Sequence, residues 1–317
     1  MIQTKPDFSA AELFSMLIIC RFARFFACDV PYSITYAKGI VAAGIMQVCL
    51  LLPIFLRRKP YHIPHVTKSV IRAFALILCA DLATDLYHLL LAADAPHPVI
   101  TMIFSLCAVA YAVSLPKAAV FRASIFLVAA SILAFALLPL GGLSTARLIC
   151  LESSAAVAHP ADFWTGWNDS AELALIPVLY ASHRNESKKS AFAWISICAI
   201  GLPLLVLYGA MQCGRLGAVQ GNPFALLLAR VPLSDALRTD GLWVMLAAAC
   251  AVLGGAFLLG QFCGDAPRPA RQTLLAGAVS LTALTILFIM GNYGIHFGMI
   301  SALLVVLQWF PSKEATS

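Results

Sequence analysis

Long apolar runs, repeated along the whole chain and each about as long as a bilayer is thick, constrain this sequence more than any other feature. They lie near residues 10–28, 38–56, 70–92, 97–115, 120–140, 156–182, 190–213, 239–262, 272–290 and 293–310. Crossing about 30 Å of hydrocarbon takes roughly 20 helical residues. The strands of a closed barrel would alternate apolar and polar residues over short segments instead, and these runs do not alternate. They predict an all-α integral membrane protein of about ten transmembrane helices, organised as a single membrane domain over residues 1–317. Composition agrees: 61% of residues are hydrophobic and 11% charged, whereas a soluble domain carries roughly a quarter charged residues.

Punctuation between the runs supports the division. Arg57-Arg58-Lys59-Pro60, Pro96–Pro98, Pro116-Lys117, Gly141-Gly142 and the polar run from His183 to Lys189 all fall between apolar stretches. The first run follows a polar N-terminus and precedes no A-x-A cleavage site, so it reads as a retained helix rather than a signal peptide. The ten cysteines are scattered, mostly inside apolar runs, with no CxxC pair and no His/Cys cluster. They read as small packing residues, and no metal or cofactor is expected.

Loop charge predicts orientation. One side collects Lys5, Arg57, Arg58, Lys59, Lys68, Arg72, Lys117, Arg122, Arg184, Lys188, Lys189, Arg268, Arg271 and Lys313; the other has Lys38, Arg147, Arg215, Arg230 and Arg238. Fourteen against five predicts cytoplasmic N- and C-termini for a multi-pass protein of the cell membrane. On that topology the sequon Asn185-Glu-Ser187 is cytoplasmic and fortuitous. The dispersed basic residues suit anionic lipid rather than nucleic acid.

Two regions depart from simple spans. Residues 213–238, external on this topology, include Asn222-Pro-Phe-Ala-Leu-Leu-Leu-Ala-Arg230, too interrupted to cross and read as an amphipathic helix at the external mouth. The sixth run contains Phe163-Trp-Thr-Gly-Trp-Asn-Asp-Ser170, polar and weak in helix propensity. Non-helical backbone at membrane depth is tolerated only where protein or a wet cavity satisfies it, and interrupted helices are where transporters build substrate sites.

From Asp169 to about Gln261 the chain resembles the spore germination permease family, the B-type subunits of GerA-type germinant receptors within the amino-acid permease (APC) superfamily. Ser170-Ala-Glu172-Leu-Ala-Leu-Ile-Pro177, followed by a Lys-rich loop, is similar to the family's Gly-x-Glu, apolar, Pro, basic-loop pattern. Asn222-Pro-Phe-Ala-Leu-Leu is similar to its external Pro-aromatic helix, and Leu237-Arg238-Thr-Asp240-Gly-Leu-Trp-Val to the start of its eighth span. The opening Phe8-Ser-Ala-Ala-Glu-Leu and Pro31 match mainly in spacing. The resemblance implies a LeuT-like inverted repeat of five plus five helices, repeat one about 8–142 and repeat two about 150–310, with helices 1 and 6 broken around an amino-acid-like ligand. It also implies residence in the spore inner membrane beside A-type and C-type receptor subunits, and a role in germinant sensing. The chain departs from the pattern at Ser170, where the family has Gly, and at Arg21-Phe-Ala-Arg24-Phe-Phe-Ala-Cys-Asp-Val-Pro31, where the family has small Gly residues. These departures favour a sensor over a transporting form; an independent amino-acid/proton permease is the other reading.

Ionisable groups within spans cost about 2.5–3.5 kcal/mol each at a helix centre, so each needs a partner or a purpose. Asp81 and Asp85 are spaced i, i+4, and His88 follows on the same face. Like charges and burial both favour a neutral acid, which makes Asp81, Asp85 and His88 proton-coupling candidates, together with Glu172. Arg24 either offers its planar fork to a ligand carboxylate or neutralises Asp85 or Glu172 in a structural ion pair. Glu172 either contacts a ligand amino group or caps its half-helix. Trp167 and Asn168 complete the expected substrate site with Arg24, Asp85 and Glu172; Trp164 and Trp167 could equally anchor the membrane interface. His296 reads as a packed histidine. From another class, an intramembrane enzyme could use Asp81-x-x-x-Asp85 to hold Mg²⁺ for a diphosphate, but the second acidic cluster that this needs is missing from the sequence, so no enzyme activity is expected.

Overall fold

The computed structural model describes residues 9–27, 31–57, 63–92, 97–142, 146–168, 171–182, 184–219, 227, 239–263, 277, 282 and 297–309. Among them every regular element is helical. In chain order these are α1 (Ala10–Ala27), α2 (Ile34–Phe55), α3 (His65–Ala92), α4 (Pro98–Ser114), α5 (Lys117–Gly142), α6 (Leu148–Ala155) and α7 (Pro160–Asn168). A 3₁₀ segment (Ala171–Leu175) leads into α8 (Ile176–Ser182), and then come α9 (Arg184–Ser196), a π segment (Ile197–Gly201), α10 (Leu202–Cys213), α11 (Arg215–Val219), α12 (Thr239–Cys263) and α13 (Phe297–Leu307).

Local chemistry sets the ends. Ser9 and Glu12 close a capping box on α1: the Ser9 N–H donates to Glu12 Oε2 at 2.7 Å, and the Glu12 N–H returns to Ser9 Oγ at 3.3 Å. Ser33 caps α2 by accepting from the Tyr36 N–H at 3.1 Å. Pro98 opens α4, where its missing N–H is no loss. Pro203 removes the donor that Ala199 would otherwise receive, and the helix relaxes into the π segment immediately before it.

Among the described residues, five stretches are long and apolar enough to cross a membrane: Ile34–Phe55, His65–Leu91, Ala118–Ala136, Ser187–Cys213 and Trp243–Cys263. Large apolar side chains point outward from them and from α4, among them Phe104, Tyr111, Phe126, Leu133, Leu204 and Met245, each more than 60% exposed. A surface of that kind belongs in lipid. The chain is a membrane protein whose described residues form helices and no strands.

The expected break in helix 1 is corrected by the structure: α1 runs without interruption from Ala10 to Ala27, with Arg21 and Arg24 inside it. The reason lies in Arg21-Phe-Ala-Arg24-Phe-Phe-Ala, which contains neither Gly nor Pro to disfavour the helix. The sixth run is interrupted: α7 ends at Asn168, and the chain resumes in the 3₁₀ segment before α8. The helix expected from Asn222 lies outside the described residues apart from Leu227, as does run 272–290 apart from Gly277 and Thr282. α6 is an addition that lies between the fifth and sixth runs, where no helix is expected from the sequence.

Hydrogen bonds gather the helix ends into two groups. Ser190 Oγ donates to the Ala10 carbonyl at 2.6 Å, the Trp309 indole donates to the Leu50 carbonyl at 2.9 Å, and Arg57 donates to the Trp309 carbonyl. The Phe55 ring lies 5.0 Å from Tyr180 and 5.6 Å from Phe192. These ties join the starts of α1 and α9 to the ends of α2, α8 and α13. At the other end, the Tyr32 N–H donates to the Gly217 carbonyl at 2.8 Å, Ser154 Oγ to the Tyr32 carbonyl at 2.6 Å, and Ser33 Oγ to Asp162 at 3.0 Å.

The packing has a recurring pattern. α1 packs on α5 and the 3₁₀ segment on α13; α1 packs on α9 and α2 on α7. α1 meets α12 while α3 meets the 3₁₀ segment, and α5 meets α12 while α3 meets α13. α3 packs on α12 and α2 on α10, while α4 packs on α12 and α3, α1 on α3, α8 on α9 and α2 on α13 outside this pattern. Two glycine contacts allow the closest of these approaches. Gly39 on α2 and Gly166 on α7 face each other so tightly that a Cβ on either would strike the other helix's backbone. Gly254 and Gly255 on α12 admit Cys20 and Leu82, and Cys79 and Val109, respectively.

Candidate functional site

α1 ends in a buried cation. Arg21 and Arg24 fall in its last two turns at 2% and 5% exposure, and a positive group is favoured where unpaired carbonyls crowd a helix C-terminus. α3 crosses α12 beside α1, and their registry comes from the glycine pair. Cys20 Sγ lies 3.9 Å from the Gly254 carbonyl and Cys79 Sγ 3.6 Å from that of Gly255. Arg24 is one turn beyond Cys20, and Asp81 is two residues beyond Cys79, so this crossing brings them together.

The result is a three-helix ion cluster. Arg24 Nη2 lies 2.5 Å from Asp81 Oδ2, and Arg24 Nε lies 3.3 Å from Glu172 Oε1. The Phe297 ring of α13 sits under the guanidinium, with 6.0 Å between Cζ and the ring centroid. Glu172 is 1% exposed, and its other oxygen, Oε2, is buried with no hydrogen-bond partner among the described residues. Asp81 is the open side of the cluster, its side chain 16% exposed.

The break that presents Glu172 is held from α13. The Ala174 N–H donates to Ser301 Oγ at 2.7 Å, and Gln308 Nε2 reaches the Ala174 carbonyl at 3.4 Å as well as the Leu304 carbonyl at 3.0 Å. Backbone groups freed from a regular helix inside a membrane must find such partners. Replacing Ser301 by alanine leaves the buried Ala174 N–H without its acceptor, and the expected loss of stability is about 1–3 kcal/mol. Unfolding of purified S301A in detergent measures it, and full recovery in S301T would assign the loss to the hydroxyl.

Of the residues expected from the sequence, the structure brings Arg24, Asp81 and Glu172 together. Asp85 lies one turn farther along α3, half-buried, and His88 packs edge-on to Tyr87 with ring centroids 6.0 Å apart. Trp167 stacks with Phe163 and Trp164, each 6.3 Å away, and Trp164 is 53% exposed, as an interface anchor would be. Asn168 ends α7, but its side chain and the whole of His296 lie outside the described residues. Among the described residues, no group of three or more His, Cys, Asp or Glu is arranged to hold a metal. Sequence reasoning misses Ser301 and Gln308; their signal is two hydrogen-bonding side chains in an otherwise apolar stretch. Neither a protein-family model nor a curated protein matches this chain.

Proposed function

We propose that this chain is a permease-like membrane protein that binds an amino-acid-like solute at the Arg24–Asp81–Glu172 cluster, of the kind found among spore germination permeases. The observation that carries the reading is Glu172: a carboxylate at 1% exposure, on an interrupted helix, half-satisfied by Arg24. Such a group is costly to bury even when it is partly paired, which favours a functional use for it.

The packing pattern supports a five-plus-five repeat within a ten-helix, LeuT-like fold. Counting the apolar runs in order, with α7 to α8 as the sixth and α9 to α10 as the seventh, the pairings of α1 with α5, α9 and α12, of α5 and α3 with α12, and of α2 with α10 each map onto another or onto themselves when run i is exchanged with run i+5. The first run with the fifth becomes the sixth with the tenth; the first with the seventh becomes the sixth with the second. The pairings of α1 with α3, α8 with α9 and α2 with α13 have no comparable counterpart among the described residues. Two related halves packed about a common axis would produce this. The two groups of helix ends also keep Arg57, Lys188 and Lys189 apart from Arg147 and Arg215, as the cytoplasmic-terminus topology requires.

Germinant sensing with A-type and C-type subunits, and proton-linked uptake, are two uses of the same site. Binding drives a partner only if it favours one conformation over another, and the unbroken α1 with its resident arginine favours the sensing form. Purified protein in proteoliposomes, given radiolabelled amino acids under a pH gradient, distinguishes them. Saturable binding without accumulation is expected, and it should be lost in Glu172→Gln. Gradient-driven accumulation would overturn the pure sensor, and binding indifferent to Glu172→Gln would overturn the site.

A further inference from the structure

α4 and α5 both pack on α12 but little on each other. Where they adjoin α1 and α12 they leave a groove of about 40 Å³, lined by Met16, Val113, Phe121 and Phe257, with the half-buried Gly260 and Gln261 at its rim. A Cβ on Gly260 would meet nothing within 4 Å. One water needs roughly 10–15 Å³ and two or more polar partners; the groove has the room, but Gln261 is the one polar side chain that lines it. An apolar space left empty forfeits dispersion contacts along its lining. The surface on either side faces lipid, since Tyr111 on α4 and Phe126 on α5 are 68% and 78% exposed. Acyl chain is therefore the medium at the mouth of the groove.

The groove starts at the helix ends. Gln261 stands two residues from the end of α12 and Met16 six from the start of α1, a depth of about 9 Å at 1.5 Å per residue. This is the end of the bundle at which Ser190 meets Ala10, the end that loop charge predicts to be cytoplasmic. Two basic positions adjoin it. α5 begins at Lys117, one turn before Phe121, and Arg122 follows Phe121 and is exposed. Glu12, one turn before Met16, is engaged with Ser9 in the α1 capping box.

We infer that this groove is a lipid site: it takes one acyl chain of an anionic phospholipid, whose phosphate lies at the helix ends beside Lys117, Arg122 and Gln261. The apolar lining accounts for the chain and the basic positions for the head. A guanidinium and an amide both donate to phosphate oxygens, and basic residues at a membrane surface attract anionic headgroups. A zwitterionic lipid with the same chains would fill the groove but gain less at its mouth. The bound chain would wedge between α1, α4, α5 and α12 and steady them. Two of these, α1 and α12, form the crossing that sets the height of Arg24, so the lipid supports the frame of the ion cluster without touching it.

The test uses the full-length protein purified in detergent and titrated with phosphatidylglycerol, with phosphatidylcholine of identical acyl chains, and with glycerol 3-phosphate as a head without a chain. Native mass spectrometry counts what is bound. One phosphatidylglycerol is expected to bind at least about tenfold more tightly than phosphatidylcholine, since each basic group near an anionic head contributes about fivefold. Glycerol 3-phosphate should be silent. Arg122→Gln should weaken phosphatidylglycerol by about fivefold and leave phosphatidylcholine unchanged. Gly260→Leu, which places a side chain in the groove, should weaken both lipids at least as much as the loss of the anionic head does. Helical circular dichroism establishes that each variant is folded; Arg122 is exposed, so Arg122→Gln and the three ligands still decide if Gly260→Leu does not fold. Equal affinity for the two lipids would overturn the proposal, as would phosphatidylglycerol binding unchanged in Arg122→Gln. Glycerol 3-phosphate binding as tightly as the lipid would mean an anion site without a chain. Lipid binding unchanged in folded Gly260→Leu, or a second copy of this chain that lipid does not displace, would remove the lipid from the groove. None of these outcomes depends on Glu172.

Discussion

Arg24→Met should destabilise the protein by about 3–5 kcal/mol, the range for removing one partner from a buried ion pair. Two carboxylates face this guanidinium, at 2.5 and 3.3 Å, and methionine leaves both without it in surroundings where Glu172 is 1% exposed. The loss comes from the stranded anions rather than from the arginine itself. The triple variant Arg24→Met, Asp81→Asn, Glu172→Gln should therefore recover most of the stability, since replacing a whole buried pair by neutral groups is often neutral or stabilising by about 1–4 kcal/mol. Arg24→Lys should fall between, because a point charge on a flexible stem cannot address two carboxylates as a planar fork does. Unfolding of the four proteins in a fixed detergent gives the ranking. A single Arg24→Met variant as stable as wild type would mean that the cluster does not hold charge, and the proposed site would go with it.

How much of this can be read from residues alone follows from how local each determinant is. α2 to α5 lie where the apolar runs put them because crossing length and composition are properties of one segment at a time. The interruption after Asn168 is legible for the same reason: its polar, helix-weak residues are contiguous. The continuity of α1 is legible too, in the absence of Gly and Pro from residues 21–27, but the family resemblance points the other way. Which aspartate meets Arg24 is not legible. Asp81 and Asp85 share a face of α3, and only the height at which α3 and α1 cross α12 brings Asp81 to Arg24; that height depends on Gly254 and Gly255, more than 150 residues away in sequence. The role of Ser301 is non-local in the same way, since a lone serine among apolar residues announces a hydrogen bond without naming its partner.

The Gly39–Gly166 contact yields the second large effect. An added Cβ at Gly166 would overlap the Tyr36 carbonyl oxygen and stand 3.0 Å from Ile40 N; one at Gly39 would overlap the Phe163 carbonyl oxygen and stand 3.0 Å from its carbon. The obstacles are backbone, which cannot rotate aside as a side-chain tip can, so α2 and α7 must separate. Small residues at a membrane helix crossing exist to permit such an approach, and overpacking costs about 1–3 kcal/mol or more. Gly166→Ala and Gly39→Ala should each lose at least this much, and Gly166→Val more. Gly260 on α12 provides the control, because nothing lies within 4 Å of where its Cβ would stand. There alanine should gain about 0.5–1 kcal/mol from reduced backbone entropy within a helix. The same chemical change should thus have opposite signs at two sites, and unfolding in detergent measures both. The consequence reaches the cluster, since α7 leads directly into the segment that carries Glu172: a displaced α7 shifts Glu172 against Arg24. Gly166→Ala should therefore weaken solute binding as well as the fold, whereas Gly260→Ala should leave binding unchanged. Wild-type stability in Gly166→Ala would show that α2 and α7 do not cross at these glycines.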